Sequence, residues 1–145
     1  RALACLPRLE PRGLSMVAYA LARLQCYDQE MLEALVDADS KRINEFSATD
    51  LAKTSWALAK LCVVNAAWDL WTALAKEATR KCCSGSFIDI SMTAWAFASI
   101  GFADRALFGQ LATAAIDQRS ELPPQTVANL SWAFAKAKVR NEQLY

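Results

Sequence analysis

Basic side chains recur at one fixed offset along this chain. Arg23 and Lys60 are 37 residues apart, and Lys136 follows Lys60 at twice 38 residues. Cationic side chains at a regular spacing can contact successive phosphates of a polyanion. The chain contains no His, so it lacks the commonest general base and metal ligand. Its five cysteines form no C-x-x-C pair, and neither a zinc site nor a disulfide framework is indicated.

The overall composition narrows the classes of function. With 16 basic and 15 acidic residues the net charge is +1, so a surface for polyanions requires that the charges be sorted between faces. The sequence has no Gly-rich phosphate loop and no nucleophile with a recognisable base. We therefore expect no enzyme activity, no cofactor or metal and no small-molecule substrate. No apolar run approaches the roughly 20 residues of a membrane span, so we expect no membrane insertion.

The regular spacing comes from a short motif that is written four times. In each copy an aromatic residue stands among small residues, and the four aromatic anchors are Tyr19, Trp56, Trp95 and Trp132. They are separated by 37, 39 and 37 residues, a period typical of solenoids built from helical pairs. The spacing predicts one helical-repeat domain over 1–145, with repeats at 10–46, 47–85, 86–122 and 123–145. We expect the last repeat to be truncated and the chain to be a piece of a longer protein.

Helix-start signals divide each repeat into a helix A and a helix B. Ser47 and Ser86 begin S-x-x-D capping boxes, and Pro11 and Pro124 fall at the first helical position, where proline is favoured. Four strong N-cap residues lie nine positions after the anchors and predict the starts of the B helices: Asp28, Asn65, Asp104 and Asn141. The sequence thus predicts an all-α fold, an αα-hairpin solenoid with seven alternating helices and no strand.

The sequence predicts that the aromatic residues serve packing. The four anchors lie on the expected apolar stripe of helix A, so we predict that they are structural anchors in the core. Trp68 and Trp71 are predicted to form the core of the second helix B. The alternative, an exposed aromatic platform for nucleic-acid bases, is less favoured because of the apolar stripe.

Three segments carry a resemblance to a known family. Residues 51–61 (LAKTSWALAKL), 92–98 (MTAWAFA) and 127–136 (VANLSWAFAK) resemble the core of octotricopeptide repeats, which are related to FAST-kinase-like and RAP-domain proteins. Tyr19 departs from the tryptophan of that pattern. The resemblance implies a right-handed superhelix of the tetratricopeptide or pentatricopeptide type, with helix A on the inner surface. It also implies binding to single-stranded or ribosomal RNA in a mitochondrion or chloroplast, in transcript stability, processing, translation or ribosome structure.

Three variable positions of helix A are the candidate contacts. They lie seven and three residues before the anchor and four after it, and we predict that they share a face away from the apolar stripe. The candidates for phosphate binding are Arg23, Lys60, Lys136, Arg12 and Lys53. The candidates for base reading are Thr49, Met16, Met92, Gln125 and Asn129. An ordinary solvated helix face remains an alternative for all of them.

Two functions are carried forward from the sequence. The first is a non-catalytic RNA-binding module that uses the helix A face, as part of a ribonucleoprotein. The second is a protein-interaction scaffold in a large organellar assembly. The near-neutral charge favours the scaffold, as do Ile88, Met92 and Ser99, which make the variable positions of the third repeat largely apolar.

Overall fold

The computed structural model describes residues 2–102 and 104–137. A four-residue helix α1 (Ala2–Cys5) precedes seven helices of 13 or 14 residues. These are α2 (Pro11–Arg23), α3 (Gln29–Arg42), α4 (Ala48–Lys60), α5 (Trp68–Lys81), α6 (Phe87–Ser99), α7 (Arg105–Asp117) and α8 (Pro124–Ala137). The described residues contain no strand, and none of their helices has the length and apolar character needed to cross a membrane.

The seven long helices form two layers, and the predicted all-α solenoid is confirmed. The A helices α2, α4, α6 and α8 lie side by side in one layer, and the B helices α3, α5 and α7 form the other. One hydrophobic core runs between the layers from Leu6 to Phe134. Contacts between successive A helices are far more extensive than those between successive B helices. The buried alanines that flank the anchors, such as Ala57 and Ala96, allow this close approach.

The predicted capping boxes form and also connect neighbouring repeats. At the start of α4, the Ser47 side chain accepts from the Asp50 backbone N–H, and Asp50 Oδ2 accepts from the Ser47 backbone N–H at 3.1 Å. The other oxygen of Asp50 accepts a hydrogen bond of 3.1 Å from Ser15 on α2. In the same way, Asp89 at the start of α6 accepts from the Thr49 hydroxyl on α4 at 2.8 Å. Each of these aspartates therefore holds the start of its own helix against the preceding A helix.

The B helices begin as predicted in two of the three described repeats. Asp28 accepts from the Met31 N–H at 2.9 Å, and Asp104 accepts from the Leu107 N–H at 3.1 Å. The prediction for Asn65 is wrong, because residues Asn65–Ala67 form a 3-10 turn and α5 begins only at Trp68. This link is two residues longer than the other two A-to-B links, which accounts for the one spacing of 39 residues. Asn141 lies outside the described residues.

The repeat pattern also extends before the first predicted repeat. Each described B helix is followed by a 3-10 turn, at Ile43–Glu45, Cys82–Ser84 and Arg119–Glu121. A further 3-10 turn at Leu6–Arg8 lies 37 residues before the first of these and follows α1. The segment 2–8 therefore has the place of the end of a B helix, which the sequence analysis did not predict.

A recurring side-chain hydrogen bond ties each B helix to the link before its repeat. Lys81 donates to the Phe46 carbonyl at 2.7 Å, and Gln118 donates to the Gly85 carbonyl at 2.9 Å. In the first repeat the Arg42 guanidinium donates to the Leu9 carbonyl. The three donors are equivalent in the repeat, and so are the three acceptors. These bonds satisfy carbonyl groups in the irregular links, which would otherwise lack partners.

The first three A helices end in the same backbone motif. After α2, α4 and α6 the chain adopts positive φ at Gln25 (52°), Cys62 (58°) and Gly101 (77°). At each site two backbone hydrogen bonds close a Schellman motif, as in the bond of 2.9 Å from Val63 N–H to the Leu58 carbonyl. In the third repeat the accompanying apolar contact is formed by Phe97 and Phe102, whose ring centroids are 5.4 Å apart.

We expect the residue at this position to set part of the stability, because a left-handed conformation costs about 1 kcal/mol for a residue with a Cβ atom. Cys62→Gly and Gln25→Gly should each raise the free energy of unfolding by up to about 1 kcal/mol. Gly101→Ala should lower it by a similar amount, since the added Cβ would contact nothing within 4 Å and only the strain changes. Urea unfolding followed by circular dichroism measures all three. Equal stability of Gly101→Ala and the parent would contradict this explanation.

One carboxyl group is buried in the B layer without a partner. Asp39 on α3 is fully inaccessible, and neither of its oxygens has a hydrogen-bond partner among the described residues. Burial raises the pKa of Asp39 from 3.8 to about 8, because desolvation disfavours the charged form. In the equivalent positions of α5 and α7 stand Ala78 and Ala115, which are also buried. The other two described B helices thus have a small apolar side chain at this position, and Asp39 departs from that pattern.

Because of the Asp39 carboxyl, we expect the free energy of unfolding to fall as the pH rises. Its folded-state pKa of about 8 lies above the unfolded value of 3.8, so the folded protein binds more protons between these values. The stabilisation that comes from proton binding at Asp39 is complete below pH 3.8 and is lost as the pH rises towards 8. We expect Asp39→Ala to raise the free energy of unfolding at pH 8 by about 1–3 kcal/mol and to flatten the decline. Asp37→Ala, an exposed site on the same helix, is the control in urea titrations at several pH values. A parent-like decline in Asp39→Ala would contradict the assignment.

Candidate functional site

The two central helices of the A layer expose one narrow row of side chains. After the first residue, every residue of α4 and α6 is buried except those seven and three residues before the anchor, the anchor itself and the residue four after it. These offsets have the i, i+4, i+7, i+11 pattern of a single helix face. The other faces of α4 and α6 are buried within the solenoid, whereas the terminal helices α2 and α8 also expose residues such as Ala20 and Val127.

We call the surface formed by these four positions on the four A helices the A strip. It consists of Arg12, Met16, Tyr19 and Arg23 on α2, Thr49, Lys53, Trp56 and Lys60 on α4, Ile88, Met92, Trp95 and Ser99 on α6, and Gln125, Asn129, Trp132 and Lys136 on α8. The structure thereby brings all ten candidate phosphate-binding and base-reading residues onto one surface. Because the A helices pack more closely than the B helices, we infer that the stack curves towards the A side, with the strip on its concave surface.

The four anchors form a continuous row of rings along the middle of the A strip, which we call the aromatic ladder. Ring centroids are 5.2 Å apart for Tyr19 and Trp56, 6.4 Å for Trp56 and Trp95, and 6.5 Å for Trp95 and Trp132. These distances are shorter than the separation of about 8–10 Å that is typical of the axes of packed helices. The aromatic contacts of the ladder run without a break through all four repeats.

The prediction that the anchors are core residues needs correction. Trp56 and Trp95 are only partly buried and pack on the core with one side, and Trp132 is 45% exposed. The earlier separation of the anchors from the variable face was wrong, because the anchor position lies within 60° of the other three positions when each residue turns about 100°. Trp68, also predicted as core, is 46% exposed.

The aromatic core lies elsewhere in the repeat. Two residues after the anchors of the second, third and fourth repeats, Leu58, Phe97 and Phe134 are completely buried, whereas Leu21 in the first repeat is partly buried. Trp71 is buried as predicted, contacts Phe97 edge to face at 5.2 Å and donates from its indole N–H to the Val63 carbonyl at 2.8 Å. The large buried side chain therefore lies two residues after the recurring aromatic anchor of the motif. It is not the anchor itself.

Two lysines of the A strip lie over the ladder. The Lys60 ammonium is 4.9 Å from the ring centroid of Trp95 and 5.6 Å from that of Trp56. The Lys136 ammonium is 4.9 Å from the ring centroid of Trp132. Both distances are within the range of cation–π attraction. Lys60 thus bridges the second and third repeats and places a positive charge beside Trp95, whose own repeat has Ser99 at the equivalent position.

The A strip is positively charged although the chain as a whole is nearly neutral. It contains five cationic residues and no carboxylate. The two aspartates of α4 and α6 are buried in the capping boxes. Among the described residues, every ion pair involves α3, α5 or the turn after α3: Lys41–Asp37, Arg42–Glu45, Arg80–Glu77 and Lys81–Glu77. The cations of the strip therefore face solvent without acidic partners in this part of the chain.

The polar members of the strip differ in how free they are. The Thr49 hydroxyl is hydrogen-bonded to Asp89, so it contributes to the junction between two repeats. Gln125 donates to the Asn129 side chain at 3.1 Å, and this exposed pair keeps further donors and acceptors available. Met16 is 52% exposed and Ile88 is 54% exposed, which gives the strip apolar patches between its charges.

The described residues contain no group of three or more His, Cys, Asp or Glu side chains that could hold a metal ion. In sequence comparisons, no protein-family model and no curated protein matches the chain. The evidence for function therefore lies in the strip itself.

We expect the Thr49 hydroxyl to stabilise the fold. Thr49→Val removes its hydrogen bond to Asp89 and should lower the free energy of unfolding by about 1 kcal/mol, whereas Thr49→Ser retains the donor and should behave like the parent. Urea unfolding of both variants separates the hydrogen bond from the packing of the methyl group. If the valine variant were as stable as the parent, the hydroxyl would be available for other contacts.

Proposed function

We propose that this chain is a non-catalytic module that binds single-stranded RNA along the A strip. The observation that carries the proposal is the segregation of charge. Five cations and no carboxylate line the A strip. Such a row suits a phosphate backbone, whose charges recur regularly along the strand. Arg23, Lys60 and Lys136, at the same position in three repeats, are the proposed phosphate contacts, with Arg12 and Lys53 beside them.

The remaining polar residues of the strip are proposed to read bases. Gln125 and Asn129 are side-chain amides with donors and acceptors that fit the edges of unpaired bases. Met16 and Met92 offer apolar contacts to base faces. Because Thr49 already donates to Asp89, we give it a smaller part in base reading than the other four candidates.

The resemblance to octotricopeptide repeats supports the same proposal and adds its cellular setting. We propose that the RNA is organellar, in a mitochondrion or chloroplast, and that binding serves transcript stability, processing, translation or ribosome structure. About one nucleotide per repeat is usual for helical-repeat RNA-binding proteins, so these repeats would contact only about four nucleotides. We therefore expect weak, salt-dependent and only loosely selective binding by this chain alone.

The charge-reversal variant Arg23→Glu, Lys60→Glu, Lys136→Glu tests the proposal. It should abolish binding to a single-stranded oligoribonucleotide. In the parent, log K should fall with log salt concentration by about 0.7 per phosphate contact, so losing three contacts removes a slope of about 2. Fluorescence anisotropy titrations at two salt concentrations measure both quantities, with circular dichroism as the check on folding.

The matched control reverses three exposed cations of the B layer, Lys41→Glu, Lys76→Glu and Arg105→Glu. It changes the net charge by the same amount and should retain most of the binding. If the A-strip variant bound RNA like the parent, or if both variants lost binding equally, the A strip would not be the RNA surface.

The exposed apolar residues of the strip support a second candidate function. Met16 and Ile88 are more than half exposed, and Met92 lies beside them in the strip. Side chains of this kind suit a protein partner, so the alternative is a scaffold subunit that holds a peptide or helix of a large assembly in the same concave surface. Parent-like RNA binding by the A-strip variant would favour this alternative.

A further inference from the structure

We propose that the aromatic ladder is the surface on which the bases of the bound RNA stack. The inference rests on the proposed RNA-binding function and adds a specific mode of recognition. In this mode the cations of the A strip hold the phosphates, and the rings of Tyr19, Trp56, Trp95 and Trp132 hold the bases. Recognition would then require unpaired bases, whatever their sequence, because every base has a face that can stack.

The ladder differs from the buried aromatic pairs in geometry and exposure. The buried pairs meet edge to face, with interplanar angles of 83° for Trp71–Phe97 and 86° for Phe108–Phe134. The pairs of the ladder lie at the surface and are closer to parallel, with angles of 34°, 42° and 24°. Trp68–Phe102 has a similar angle of 43°, so the feature that sets the ladder apart is its continuity across four repeats on an exposed, positively charged strip.

The spacing of the rings suits bases. The three tryptophans are 6.4 and 6.5 Å apart between centroids, farther than the separation of about 3.4 Å between directly stacked bases. A base that stacks on the exposed part of one indole would therefore also lie close to the next. This arrangement gives one base for each junction of two repeats.

Lys60 shows that the space beside two rings is accessible from solvent. Its ammonium lies within 6 Å of the centroids of both Trp56 and Trp95, where a base would also contact them. When a base takes this place, the flexible lysine can turn to the adjoining phosphate. Lys136 has the same relation to Trp132. The lysines thus cover the rings in the free protein and bind the backbone in the complex.

The decisive variant is Trp132→Leu, because the chain contains a matched control. Trp132 is 45% exposed and Trp68, on the B layer, is 46% exposed. Within the described residues each also contacts one other ring, at 6.5 Å for Trp132–Trp95 and 5.1 Å for Trp68–Phe102. Trp132→Leu should weaken binding of a short oligouridylate by about tenfold, as expected for the loss of one stacked base. Trp68→Leu should leave the affinity unchanged, and Trp132→Phe should retain most of it.

A second probe separates bases from phosphates. An abasic ribose-phosphate strand of the same length should bind the parent weakly and should not distinguish Trp132→Leu from the parent. Binding of oligouridylate should also quench tryptophan fluorescence in the parent, and the abasic strand should not. Circular dichroism and urea unfolding confirm that each variant is folded.

The outcomes distinguish this inference from the function on which it rests. If Trp132→Leu binds oligouridylate like the parent while the A-strip charge variant does not, the ladder only packs helices and the RNA-binding proposal stands. Equal affinity of the parent for abasic and base-bearing strands would likewise overturn base stacking alone. If the charge variant also binds like the parent, the A strip is not the RNA surface and both proposals fail.

Discussion

Close packing of the A helices is the constraint on which the rest of this structure depends. Small buried residues around each anchor, such as Ala57, Ala94 and Ala96, let neighbouring A helices approach one another, while the B helices remain farther apart. Close approach buries every face of the central A helices except one. It also draws the anchor rings together into the ladder and curves the stack towards the A side. The exposed strip is therefore a result of the same packing that makes the solenoid stable, and three of its four positions per helix differ in residue type from repeat to repeat.

Much of the fold could be predicted from the sequence because its signals are local and repeated. The capping boxes at Ser47 and Ser86 and the N-caps at Asp28 and Asp104 each depend on residues within a single turn, so spacing alone places them. Asn65 was misplaced because two extra residues lengthen one link, and a spacing between anchors does not say where an insertion lies. The Schellman motifs at Gln25 and Cys62 had no glycine to indicate them, and the bond from Lys81 to the Phe46 carbonyl joins residues far apart in sequence.

The ten candidate contact residues of the A strip were predicted from the sequence, but the exposed row of aromatic anchors at its centre was not. The offsets that grouped Lys53, Lys60 and Gln125 on one face also include the anchor position, yet apolar and aromatic character suggested burial for the tryptophans. A tryptophan is large enough to pack one side on the core and keep the other at the surface, which Trp56 and Trp95 do. The deep core position belongs to the smaller Leu58, Phe97 and Phe134. A net charge of +1 does not show how the charges are distributed between the layers. The A strip is positive because the two aspartates of α4 and α6 are buried as helix caps.

The hydrogen bonds between repeats have a consequence for how such an array can change in length. The second and third units present the same kinds of group to their neighbours: a capping aspartate that accepts from the preceding A helix, and a residue at the end of helix B that donates to the preceding link. Donor and acceptor both lie within the unit that is copied when a gene segment is duplicated. A duplicated unit would thus join the array through contacts that already exist on both sides. Whole repeats could be gained or lost in evolution without new interfaces, and each gain would lengthen the concave surface by one row of four side chains.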